Sequence, residues 1–105
     1  MSENKGLVLV VEDDDSIFDG LRMRLKAEGY GVAHSRDGQD ALRQIEALRP
    51  AAIVLDIGLP KLDGTEVCRQ LRSNPDQQLA WTPVLFLTAR DEEYDRLHEI
   101  GRAHV

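Results

Sequence analysis

Ile53-Val54-Leu55-Asp56-Ile57-Gly58-Leu59-Pro60 decides how this chain is read. An apolar burst stops at a carboxylate, and a Gly-Leu-Pro segment follows. Ile53 to Leu55 are too few and too β-branched for a helix, so they read as a buried strand. Asp56 then stands where that strand leaves the core. Alone, such a residue is a turn or cap carboxylate in about nine cases of ten. What else converges on the same place has to decide whether it is reactive.

Working outward, Leu7-Val8-Leu9-Val10-Val11 is apolar at every position, the mark of a central parallel strand with helices on both faces. Glu12-Asp13-Asp14-Asp15 ends it, and Asp14 or Asp15 can cap the next helix at its positive dipole end. Ile17, Phe18, Leu21 and Leu25 carry that helix, and Gly29 suits the C′ position just past Glu28. Gly31 to Ser35 form a second, more polar strand of edge type. Asp37 caps a helix with Ala41, Leu42, Ile45 and Leu48 on one stripe, which Pro50 prevents from running on. Ala52 to Leu55 make the third strand. Asp63-Gly64 is a turn signal, Val67, Cys68 and Leu71 mark a third helix, and Ser73-Asn74-Pro75-Asp76 breaks it. Pro83 opens a fourth strand, Val84 to Leu87, ending at Thr88; Asp91 caps a fourth helix with Tyr94 and Leu97. Strand-helix four times over predicts an α/β fold with a doubly wound parallel sheet and right-handed crossovers.

The 105 residues leave room for one domain and one core. A hydrophobic fraction of 42% and a charged fraction of 30% are those of a soluble globular protein. Net charge is −6, which argues against nucleic-acid contact by this domain itself. No apolar h-region follows Met1 and no run reaches membrane-spanning length, so neither a signal peptide nor a membrane role is expected. Cys68 is the single cysteine, excludes an internal disulfide and suits a reducing cytoplasm. It reads as a core residue. His34, His98 and His104 have no metal-ligand spacing, and Trp81 reads as a loop residue covering a strand edge.

If the strand order is 2-1-3-4, the first and third strands are neighbours and the order reverses between them, where ligands of such sheets bind. Glu12, Asp13 and Asp56 would converge there. Three close carboxylates repel one another unless a cation neutralises them. Hard oxygen ligands suit Mg²⁺, which accepts phosphate oxygens as further ligands. Asp56 is then a candidate nucleophile for an aspartyl-phosphate, and Thr88 can donate its hydroxyl to the transferred phosphoryl group. Singly, the acidic run is a solvated helix start and Thr88 a turn hydroxyl; their conjunction at one sheet edge favours the functional reading.

These residues resemble the receiver domain of bacterial two-component response regulators. The resemblance rests on Val10-Val11-Glu12-Asp13-Asp14, Asp37-Gly38-x-x-Ala41-Leu42, Asp56-Ile57-x-Leu59-Pro60-x-x-Asp63-Gly64 and Pro83-Val84-x-x-Leu87-Thr88-Ala89-Arg90. It covers about residues 7 to 97. It implies a five-stranded flavodoxin-like sheet, Glu12 and Asp13 as the acidic Mg²⁺ pair, Asp56 as phosphoacceptor and third side-chain ligand, Gly58 as a ligand through its carbonyl, and Thr88 as the switch hydroxyl. The implied partner is a sensor histidine kinase. The Thr88-Ala89-Arg90-Asp91 style is similar to regulators with a DNA-binding winged helix downstream. A receiver homodimer in the full-length parent is a further implication.

The chain departs from that pattern beyond the fourth strand. The fifth strand with its Lys-Pro pair and the fifth helix are expected but missing, so residues 1–98 read as an incomplete receiver. Glu99-Ile100-Gly101-Arg102-Ala103-His104-Val105 reads in codons as GAG-ATC-GGA-AGA-GCA-CAC-GTC, which resembles a sequencing-adapter oligonucleotide. Residues 99–105 are therefore expected to be a non-native tail. An open fourth-strand edge is expected to make the chain unstable or prone to aggregate. The position of Met1 near the first strand points to an N-terminal receiver.

Three functions stay in view. The leading one is a phosphoacceptor switch rather than an enzyme. The alternative is a degenerate receiver acting only as an interaction domain, against which the intact Glu12, Asp13, Asp56, Thr88 set argues. A phosphatase with an Asp nucleophile would need a second carboxylate two residues on, where Gly58 stands.

Overall fold

Leu7–Val11 (β1) and Ala52–Asp56 (β3) pair in parallel at the centre of a four-stranded sheet, with Gly31–Ser35 (β2) outside β1 and Val84–Leu87 (β4) outside β3. This is a computed structural model, which describes residues 5–56 and 63–87. The order β2-β1-β3-β4 is the one the sequence predicts, with its reversal between β1 and β3.

The reason β1 and β3 are apolar throughout lies in the alternation of strand side chains. Leu9, Val11, Ile53 and Leu55 point to one face, where they meet Ala41 and Ile45 of helix α2 (Gly38–Leu48) and Val67 and Leu71 of helix α3 (Gly64–Arg72). Val8, Val10 and Val54 point to the other, against Phe18, Leu21 and Leu25 of helix α1 (Asp15–Ala27). Burying each such side chain contributes roughly 1.5–3 kcal/mol, so a polar residue at any of these positions would be costly. The two faces are unequal. Helix α1 has no fully buried residue, and beside it lies an apolar groove of about 270 Å³ lined by Val8, Leu25, Tyr30, Val54 and Leu85 among others.

Aspartates start the helices. The Asp14, Asp37 and Asp63 carboxylates accept from the N–H groups of Ile17 (3.0 Å), Asp40 (2.8 Å) and Glu66 (3.0 Å). Each such cap contributes about 1 kcal/mol. At the far end of α1, Gly29 takes φ 98°, letting Tyr30 N–H reach back to Leu25 O and Gly29 N–H to Lys26 O. Helix α2 ends differently. Arg49, just before Pro50, adopts the left-handed φ of 50°, and its guanidinium ties to Asp76 and Gln78.

Two features differ from the sequence reading. A short helix α4, Gln77–Ala80, stands where a plain loop was expected, capped by Asp76. Trp81 does not cover a strand edge: it is 73% exposed, its indole N–H donating to Gln77. Cys68 packs half-buried against the core of the α2/α3 face, as read. The expected helix after Asp91, the residues Gly58 and Thr88, and the tail 99–105 lie outside the described residues. Among the described residues no helix is long and apolar enough to cross a membrane.

Candidate functional site

All four strands are parallel, so their carboxyl ends share one edge. At that edge the carboxylates of Glu12, Asp13 and Asp56 come together, one oxygen from each lying within 4.8 Å of the others. Register explains the convergence. Val11 is paired with Leu55, so the residues that follow, Glu12 and Asp56, leave two adjacent strands at the same level. The three differ in burial: Glu12 is 2% exposed, Asp56 half-buried and Asp13 exposed. The group therefore has a closed floor and an open mouth.

Its electrostatics are unbalanced. Burial pushes the Glu12 carboxyl up from 4.5 to about 7, and the nearby charges of Asp56 and Asp13 push in the same direction. The Asp14 N–H, donating to Glu12 Oε2 at 2.9 Å, opposes this and aims the carboxylate without cancelling the rise. A buried acid beside two others is what a divalent cation relieves. Three hard oxygen donors, partly open to solvent, fit Mg²⁺, which keeps waters and accepts further oxygens.

The adjoining residues of the acidic run have other work. Asp14 is the cap of α1, as read, and Asp15 pairs with Arg36 across the mouth of β2. Sequence reasoning missed a second polar cluster at the end of β2. Buried Ser35 donates its hydroxyl to Asp40 Oδ2 at 2.7 Å, and Gln44 donates to the same oxygen at 2.7 Å and to the His34 carbonyl at 2.8 Å. Arg43 takes the other Asp40 oxygen at 2.8 Å. The four-residue spacing of Asp40 and Gln44 was the available signal. It also missed His34, whose Nε2 lies 2.8 Å from the Glu12 carbonyl oxygen and whose ring stacks on Phe18.

A family model described as the response regulator receiver domain matches residues 8–103. The chain belongs to the response regulator receiver domain family. Over 90 residues it is 49% identical to the alkaline phosphatase synthesis transcriptional regulatory protein PhoP of Bacillus subtilis, covering 86% of this chain and 36% of that one. The chain thus spans little more than a third of that curated relative. Among solved structures it is similar to the signal receiver domain of a signal transduction histidine kinase from Syntrophus aciditrophicus, with a TM-score of 0.76 and 34% identity, covering 90% of this chain and 70% of that one. It is also similar to the receiver domain of a sensor histidine kinase from Pseudomonas aeruginosa, with a TM-score of 0.75 and 33% identity over 87% of this chain and 73% of that one; that structure has a magnesium ion coordinated in its active-site cleft. A receiver of two-component regulators is a signalling module, and it is not an enzyme with a separate product.

Proposed function

We propose that this receiver accepts a phosphoryl group on Asp56 from the phosphohistidine of a sensor histidine kinase, with Mg²⁺ held by Glu12, Asp13 and Asp56. The observation that carries the proposal is the convergence of these three carboxylates within 4.8 Å at one sheet edge. The magnesium in the similar Pseudomonas receiver supports the choice of metal.

Each residue has a distinct task. Half-buried Asp56 is the nucleophile: its carboxylate oxygen forms a bond to phosphorus as the phosphorus–nitrogen bond of the donor breaks, and the imidazole leaves with the electron pair and takes up a proton. Glu12, fixed by the Asp14 N–H, and Asp13, at the open mouth, complete the side-chain ligand set. Mg²⁺, when bound, offsets charge on the carboxylates and on the transferred group. Gly58, through its carbonyl, and Thr88, through its hydroxyl, are the further ligand and the switch donor that the motif pattern suggests. The switched output would be a DNA-binding transcription regulator in a longer parent, as the likeness to PhoP suggests.

The test is phosphotransfer from a small acyl phosphate with Mg²⁺, in this chain and in the parent regulator, read by intact mass. A single base-labile phosphate, lost on chelation of Mg²⁺ and absent in Asp56→Asn, is expected. Absence of label in the parent would support the interaction-domain reading instead, and rapid multiple turnover would support a phosphatase.

A further inference from the structure

His34 has the makings of more than a core histidine. It lies on the same face of β2 as Val32, towards α1, and is half-buried. Its ring lies flat on Phe18, centroids 3.7 Å apart and planes within 5°. The stack fixes the ring plane and with it the direction of both ring nitrogens. Nε2 stands 2.8 Å from the backbone carbonyl oxygen of Glu12. A carbonyl can only accept, so Nε2 carries the proton and donates.

The position of that carbonyl gives the bond its interest. The Glu12 N–H donates to Ser35 O at 2.9 Å, continuing the β1–β2 pairing. Its carbonyl belongs to the peptide joining Glu12 to Asp13, the two acids of the run that enter the site. β2 therefore holds Glu12 on both sides, through a backbone carbonyl at Ser35 and a side-chain donor at His34. A peptide free to rotate here would swing both carboxylates relative to Asp56. The His34 backbone is itself anchored, since its carbonyl accepts from Gln44 of α2.

We propose that His34 is a positioning residue for the acidic metal site: its Nε2–H clamps the Glu12–Asp13 peptide, and Phe18 holds the ring for that task. The inference rests on the Mg²⁺ reading above and deepens it. Groups one step behind metal ligands commonly control affinity by tenfold or more, and a clamp on the ligand backbone should act at the lower end of that range.

The experiment is calorimetric titration of the full chain with Mg²⁺, paired with thermal melts in the absence of metal. His34→Gln keeps an N–H at about the reach of Nε2, whereas His34→Leu keeps apolar bulk against Phe18 and loses the donor. His34→Leu and His34→Ala are expected to weaken Mg²⁺ binding by about fivefold to tenfold, with His34→Gln within about twofold of wild type. If His34→Ala fails to fold, the Gln and Leu pair decides. Unchanged affinity in His34→Leu would overturn the proposal, whatever its melting temperature. So would equal losses in Gln and Leu, which would assign the effect to the ring alone. A wild-type chain that binds no Mg²⁺ would overturn the metal reading itself, an outcome distinct from wild type and variants binding alike.

Discussion

Two carboxylate corners lie one strand apart at the same edge of the sheet. At the end of β2, Asp40 is surrounded by donors: the Ser35 hydroxyl, the Gln44 amide and the Arg43 guanidinium. Those bonds, led by Ser35, hold its carboxyl below its ordinary value of 3.8. At the ends of β1 and β3, Glu12 faces two further carboxylates, and burial with like charge lifts its carboxyl to about 7. The first corner is a finished structure. The second is a charge arrangement that folding alone makes worse, and a cation makes better. The difference teaches where to look for function: not at acids as such, but at acids whose neighbours do not neutralise them.

The contrast can be broken in several ways. Replacing Glu12 by Gln keeps the shape and removes the buried charge. Without metal at neutral pH, Glu12→Gln is expected to stabilise the chain by about 2 kcal/mol, since each unit of carboxyl shift corresponds to about 1.4 kcal/mol. Urea unfolding in dilute solution checks this. Destabilisation by Glu12→Gln would mean that the corner is already neutralised within the fold. The same series tests the expectation that an open β4 edge, with Leu85 61% exposed, makes the chain prone to aggregate.

Asp40→Ala should act in the opposite direction, costing about 1–2 kcal/mol, because it strips partners from Ser35 and Gln44. The two corners also differ in the sign of their pH dependence. The folded carboxyl of Glu12 lies above its unfolded value, so its contribution is fully present below about pH 4.5 and is lost as pH rises to about 7. The folded carboxyl of Asp40 lies below its unfolded value, so its contribution is present above about pH 4 and is lost on acidification. Stability curves of Glu12→Gln and Asp40→Ala against pH should separate the two slopes. The smallest effect belongs to the exposed Arg36–Asp15 pair between them: Arg36→Ala should change stability by under about 0.5 kcal/mol.

Much of this was legible in the chain itself. Strand β1 is apolar at every position because both of its faces are covered, and that pattern needs no partner to be seen. The caps at Asp14, Asp37 and Asp63 precede helical stripes, so they too can be read locally. The convergence of Glu12, Asp13 and Asp56 followed once strand order was assumed. Helix α4 was not legible, since four residues carry no period. Trp81 was misjudged because bulk and apolarity suggest burial, whereas its partner is the Gln77 side chain beside it. His34 escaped because metal-ligand spacing was the criterion applied to it. Its role depends on a backbone carbonyl 22 residues away in sequence, which no local pattern encodes.

The most direct test of the unbalanced corner is the effect of Mg²⁺ on the melting temperature of the chain at neutral pH. The account predicts a saturable rise in wild type, growing with metal concentration as binding to the folded form requires, and its loss in Asp13→Asn and Asp56→Asn. No rise in wild type, or an equal rise in all three proteins, would contradict it.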